Sequence, residues 1–228
     1  MIHSASPAAR SALLAGASGL IGQALLARLL GEGAYRQVTV LARGRAKSAQ
    51  PDSKLDWREV DFEHLPEPLP TGDDVYLALG TTIKVAGSES AFRRVDFDYV
   101  VGIARAARAA GATRLAVVSA LGADSASRVF YNRVKGDMQA AVAGLGYTSV
   151  VIAQPSLLMG DRAALGQPVR RFESLAAGLL APVMALVPKA VRPIAAATVA
   201  NALVRTLLTA PVGVVLLGSG RMQEHANS

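Results

Sequence analysis

Tyr131 and Lys135 stand four residues apart in the segment YNRVK, so on a helix they share one face. A tyrosine alone is a poor acid or base at neutral pH. A neighbouring ammonium favours its phenolate and draws it toward the working range. Ahead of this pair, Ser119 closes the apolar run RLAVVS, the pattern of a buried strand. A serine at a strand end could hold and polarise a carbonyl while the tyrosine moves a proton. None of the three carries reducing equivalents. Redox work by this trio would need a hydride carrier bound close by.

The segment Gly16-Ala17-Ser18-Gly19-Leu20-Ile21-Gly22 supplies a candidate holder. It lies between the apolar run Ser11–Ala15 and the helically spaced run Leu20–Leu30. In a G-x-x-G-x-x-G turn one glycine permits the sharp bend. A second removes the side chain that would block a pyrophosphate, and a third lets helix and strand pack closely. The helix N-terminus then presents free N–H groups and a positive dipole end to phosphate. Ser18 could add a hydroxyl contact, with Leu20 and Ile21 in the first turn. The end of the second strand selects the dinucleotide. An acid there would bind the ribose hydroxyls of NAD, whereas arginine accommodates the extra phosphate of NADP. Here the residues are Arg43, Arg45 and Lys47, with no acid among them. NADP(H) is therefore favoured over NAD(H).

Alternating strands and helices must position these groups. Strands are predicted at 11–15, 37–42, 57–60, 74–79, 114–119, 149–154 and 212–217. Helices are predicted at 20–30, 91–110, 129–143, 169–180 and 196–208. Such alternation implies parallel strands with right-handed crossovers. The expected fold is α/β, a Rossmann doubly wound parallel sheet with helices on both faces. The chain is expected to form one domain over 1–228. Its core would span about 11–160, and a small substrate-side cap about 161–217. Residues 218–228 read as a loose tail.

Composition narrows the function. The 228 residues include no cysteine, which excludes disulfides, thiolate nucleophiles and cysteine metal sites. His3, His64 and His225 are scattered without ligand spacing, so no metal is expected. The charge of 24 − 17 = +7 is spread along the chain without basic runs or interleaved aromatics. No nucleic-acid partner is expected; the basic balance suits a solvated surface and an anionic cofactor. No secretory signal is evident and a cytoplasmic location is expected. The apolar run Leu175–Val187 contains Pro182 and is too short to span a bilayer. It reads as a buried helix or lid, with peripheral membrane contact as its other use. The expected partner is a small molecule, and the expected state a monomer or homodimer.

In combination these motifs resemble the short-chain dehydrogenase/reductase superfamily. The segments GASGLIGQALLARLL, LALGTT, FRRVDFDYVVGIARAARAAGATRLAVVSALGAD and YNRVKGDMQ resemble its atypical branch, notably the Tat-interacting oxidoreductase-like NADPH-binding group. The likeness runs over about residues 11–162. It implies that Asp61 and Phe62 lie against adenine and that Leu79, Gly80, Thr81 and Thr82 line the cofactor. It places Gln154, Pro155, Ser156, Leu157, Leu158 and Met159 beside nicotinamide and substrate. Tyr131 would be the general acid/base, Lys135 its partner and ribose ligand, and Ser119 the carbonyl orienter. Two departures stand out. Many relatives carry a relay asparagine in the helix before the fifth strand, where this chain has Asp96 and Asp98. The region after the core is also shorter than in sugar-nucleotide epimerases.

The reading is an NADP-dependent oxidoreductase acting on a carbonyl or alcohol of a small apolar substrate. The alternative is a non-catalytic NADP(H)-binding redox sensor, regulator or assembly factor. Retention of Ser119, Tyr131 and Lys135 favours the enzyme.

Overall fold

A computed structural model describes residues 10–44, 52–70, 72–159 and 191–224. Seven strands form one sheet: β1 (Arg10–Ala15), β2 (Tyr35–Ala42), β3 (Leu55–Glu59), β4 (Asp74–Leu77), β5 (Arg114–Val118), β6 (Ser149–Gln154) and β9 (Gly213–Gly218). Their order is β3-β2-β1-β4-β5-β6-β9, and every pairing is parallel. The chain works outward from β1 in one direction and from β4 in the other. The crevice between β1 and β4 is therefore a topological switch point, where open sheets of this kind take their ligands.

Strand side chains alternate between two cores. Ala12 and Leu14 of β1, Val38 and Val40 of β2, and Val151 and Ala153 of β6 face one side. There they meet helix α1 (Leu20–Leu30) and helix α6 (Ala196–Leu208). Leu13, Ala15, Val75, Leu115, Val117 and Ile152 face the other side, against α4 (Val100–Ala109) and α5 (Phe130–Ala143). Burial on both faces is what makes runs such as SVVIAQ nearly continuous in apolar residues. At the amino-terminal edge of the sheet, Tyr35 donates to Asp74 at 2.6 Å, and Arg114 pairs with the same carboxylate at 2.5 Å. That edge is locked by polar contacts, and the carboxyl-terminal edge is left for ligand.

Three expectations change. Helix α6 and strand β9 fall within the expected cap, yet both belong to the core layers. Val199, Leu203 and Leu207 bury against α1, and β9 continues the sheet beside β6. An apolar stripe on a helix cannot say which element it meets. The rest of that cap, with the runs 169–180 and Leu175–Val187, lies outside the described residues. Second, the helix expected over 91–110 is broken. It comprises α3 (Glu89–Arg93), a π-helical turn (Arg94–Tyr99) and α4, preceded by the short α2 (Ile83–Ala86). Third, the expected tail begins with helix α7 (Ser219–Glu224), anchored by buried Ser219 and Met222. A minor two-stranded sheet pairs β7 (Leu158–Met159) with β8 (Ile194–Ala195). Among the described residues, no helix is long and apolar enough to cross a membrane.

Candidate functional site

The glycine turn leaves β1 at the switch point. Gly16 has φ +95°, and a Cβ on it would lie 2.5 Å from the Ala78 carbonyl carbon beyond β4. Only glycine fits both the dihedral and the approach. At Gly22 a Cβ would lie 1.9 Å from the Gly16 carbonyl oxygen, so α1 packs directly on the turn. Gly19 differs: a Cβ there meets nothing closer than 3.5 Å, at an ordinary φ of −83°. A side-chain carbon at Gly19 would therefore make only ordinary van der Waals contacts. Gly19 caps α1 without a side-chain hydrogen bond, and no acid stands in the first turn. That turn, at Leu20, Ile21 and Gly22, suits an anion. Ser18 is exposed beside it. Gly22→Ala should therefore cost about 1–3 kcal/mol by overpacking, read by urea denaturation, while Gly19→Ala should cost clearly less.

At the end of β2, Arg43 is exposed, and Trp57 Nε1 donates to the Gly44 carbonyl at 2.9 Å, fixing the following bend. Arg43, Glu59, Val60 and Asp61 line a depression of about 320 Å³. Asp61 accepts from the Glu63 N–H at 2.9 Å and meets His64 Nδ1 at 2.9 Å. The His64 hydrogen bond holds its carboxyl below the usual range. Phe62 turns into the core, 7% exposed, with its ring 5.7 Å from that of Tyr99. Arg45 lies outside the described residues.

Beyond β4, Leu79 packs on the core, Gly80 is exposed, and the Thr81 N–H donates to Asp96 Oδ2 at 2.8 Å. Thr82 caps α2 by accepting from the Val85 N–H. Asp96 Oδ1 lies 2.7 Å from Lys135 Nζ, and both residues are buried, 1% and 3% exposed. The ion pair joins the π turn to α5. A regular helix over 91–110 would set its residues at other angles, and single π turns recur at functional sites. Lys135 also borders the crevice: its Nζ is 3.9 Å from where a Cβ on Gly80 would stand.

Ser119 follows β5, 4% exposed, with its N–H donating to the Ala153 carbonyl at 2.7 Å. Its Oγ accepts from Gln139 Nε2 at 2.6 Å. Tyr131 is partly exposed in the first turn of α5, and its ring lies 5.3 Å from that of Phe92. Tyr131, Lys135 and Gln139 follow one another at four-residue spacing along one helix face. The spacing i, i+4, i+8 was a signal for Gln139, but only the meeting of α5 with the end of β5 gives it meaning.

After β6, Pro155 is buried and its carbonyl accepts from the Leu121 N–H. The Ser156 hydroxyl is engaged elsewhere, with the Arg192 carbonyl and with Ser219 Oγ at 2.8 Å. Leu157 is 42% exposed, and Leu158 pairs with Ile194. The carboxyl-terminal edge of the sheet thus carries the glycine turn after β1, Gly80 and Thr81 after β4 with Lys135 beside Gly80, and Ser119 after β5, while the Phe62 side chain and the Ser156 hydroxyl serve packing.

Residues 16–154 match the NAD(P)H-binding family. The chain is 36% identical over 157 residues to protein HTATIP2 of Rattus norvegicus, covering 67% of this chain and 64% of that protein. The match thus spans less than two thirds of the rat protein's length. It is 33% identical over 153 residues to "protein FMP52, mitochondrial" of Eremothecium gossypii, covering 67% and 68%. Among solved structures, a short-chain dehydrogenase/reductase family oxidoreductase from Burkholderia thailandensis superposes with TM-score 0.67 at 18% identity, covering 95% of this chain and 93% of that one. MoeE5 in complex with UDP-glucose and NAD gives 0.65 at 16% identity, covering 95% and 80%. One expectation is corrected. Several relatives carry the word mitochondrial in their names, so the cytoplasmic location expected from the lack of a secretory signal falls. The lack of a secretory signal does not separate the cytoplasm from an organelle.

Proposed function

The chain belongs to the NAD(P)H-binding family, and from that premise we propose that it is an NADP-dependent oxidoreductase of the short-chain dehydrogenase/reductase type, acting on a carbonyl or alcohol of a small apolar substrate. One observation carries the proposal. An uncapped helix N-terminus behind a glycine turn opens at the same sheet edge as Ser119, Lys135 and the start of α5.

The residues fit the cofactor. The first turn of α1 would take the pyrophosphate, with Gly19 giving it room. Arg43 would hold the 2′-phosphate and the Asp61 segment would border adenine. Gly80, Thr81 and Thr82 would line the middle of the cofactor, and the stretch from Pro155 to Leu158 its nicotinamide end. When bound, the nicotinamide supplies or accepts the hydride.

The chain's own groups then manage the oxygen. Ser119 donates its hydroxyl proton in a hydrogen bond to the substrate carbonyl oxygen, which polarises the carbon. Tyr131 passes its phenolic proton to that oxygen as the carbon is reduced, and the proton is replaced from solvent. Lys135 holds the tyrosine oxygen and the ribose. Its ammonium has three donors, and one spent on Asp96, 2.7 Å away, would leave two for these tasks. Carbonyl, hydride and proton together make one alcohol.

Titration of the protein with NADPH and NADH tests the first half. Arg43→Ala should weaken NADPH about 10–100-fold, the worth of one charge-assisted hydrogen bond, and leave NADH unchanged. Gly19→Ala should weaken both while the fold stays intact. Equal affinities in the parent protein would remove the NADP preference, and binding of neither would overturn the proposal.

A further inference from the structure

We propose that Gln139 is a positioning residue that sets the polarity of Ser119, so that the serine hydroxyl is a donor toward a carbonyl oxygen. The inference rests on the oxidoreductase reading above. It is carried by a directed chain of hydrogen bonds. Gln154, the last residue of β6, donates from Nε2 to Gln139 Oε1 at 3.2 Å. With its oxygen so engaged, the Gln139 amide turns its nitrogen to Ser119 and donates to Oγ at 2.6 Å. A hydroxyl oxygen that accepts from an amide keeps its own proton free to donate. Acceptance also strengthens that donation, because linked hydrogen bonds polarise one another in a poorly solvated site. Ser119 is 4% exposed, which keeps water from competing for either role.

The arrangement has a direction that simple packing would not need. Gln139 stands one turn beyond Lys135, on the face of α5 that also carries Tyr131. A glutamate there would accept the serine proton and point the hydroxyl away from substrate. A methionine would fill the volume and fix nothing. The charge and donor pattern at 139 therefore decides whether Ser119 activates a carbonyl or withdraws from it.

The test compares the parent protein with Gln139→Glu, Gln139→Met and Gln154→Leu. Benzaldehyde is the carbonyl probe and NADPH the reductant, across a range of pH. Gln139→Met should lower kcat about five- to tenfold with KM nearly unchanged. Gln139→Glu should retain most activity at low pH, where the neutral acid still donates. It should lose about a hundredfold as pH rises through the new carboxyl's pKa, on the scale of losing one polarising donor. The parent should lack that limb. Gln154→Leu should follow Gln139→Met with a smaller loss. Independently of turnover, the Gln139 side-chain amide proton signals of the free protein should move upfield in Ser119→Ala. If the parent reduces the probe and Gln139→Glu shares its pH profile, or if those amide signals do not move, the inference fails alone. If the parent binds NADPH but reduces nothing, the catalytic reading fails and takes the inference with it.

Discussion

Tyr131→Phe is expected to lower kcat about a thousandfold while NADPH affinity changes by less than about twofold. General acid catalysis by a positioned side chain contributes about 10²–10⁴, and the phenolic hydroxyl is the only group this substitution removes. The ring stays. Tyr131 packs against Phe92 with centroids 5.3 Å apart and planes at 38°, a contact that phenylalanine reproduces. Misfolding is therefore not the route to lost activity. Because kcat and kcat/KM should fall together, the missing interaction belongs to the transition state and not to ground-state binding. Steady-state turnover of an aldehyde with NADPH, alongside cofactor titration by fluorescence, gives both numbers. A variant that retains turnover would put the proton on another group. A parent protein that binds NADPH tightly and turns over no carbonyl would favour the sensor or assembly reading, in which the trio persists without chemistry.

How much of this was legible in the sequence depends on how local each cause is. The glycine turn is local. Gly16 and Gly22 are dictated by contacts within a few residues of themselves and with the neighbouring strand, so spacing alone located the turn and the helix behind it. Tyr131 and Lys135 are one helical turn apart, which periodicity also reads. The partner of Lys135 is not local. The pattern over 91–110 suggested one uninterrupted helix, because α and π turns share much of their apolar spacing. The π turn at Arg94–Tyr99 then brings Asp96 to a lysine on another helix. The role of Gln139 is hidden for the same reason, since its meaning comes from Ser119, just past β5, and Gln154, at the end of β6. At the C-terminal end, apolar spacing identified 196–208 as a helix and 212–217 as a strand. It could not reveal that they close the core beside α1 and β6, nor that Ser219 would turn back to Ser156.

The Asp96–Lys135 pair yields the largest expected change in stability. Asp96→Ala should destabilise the fold by about 3–5 kcal/mol, the cost of leaving one partner of a buried ion pair uncompensated. Lys135 is 3% exposed and cannot reach bulk water without repacking, and the Thr81 N–H loses its acceptor at the same time. Asp96→Asn isolates the charge, since an amide oxygen can still accept from Thr81 while the lysine loses its counter-ion. It should cost less than alanine but still weaken the hold on Lys135. The double variant Asp96→Leu with Lys135→Met removes both charges and fills the space. It should be more stable than either single charge-removing variant, because a buried pair replaced by apolar groups is often neutral or better. It should nevertheless be inactive. Urea denaturation of the parent, Asp96→Leu, Lys135→Met and the double variant provides the cycle, with Asp96→Ala and Asp96→Asn measured beside them. A cost below about 1 kcal/mol for Asp96→Ala, the range of exposed pairs, would mean that water reaches the site and that the π turn does not hold Lys135. The predicted combination of restored stability with absent turnover separates a pair kept for the fold from one kept for the chemistry. A protein selected for stability alone would have little reason to retain two charges here, beneath a cofactor crevice, when apolar residues would serve.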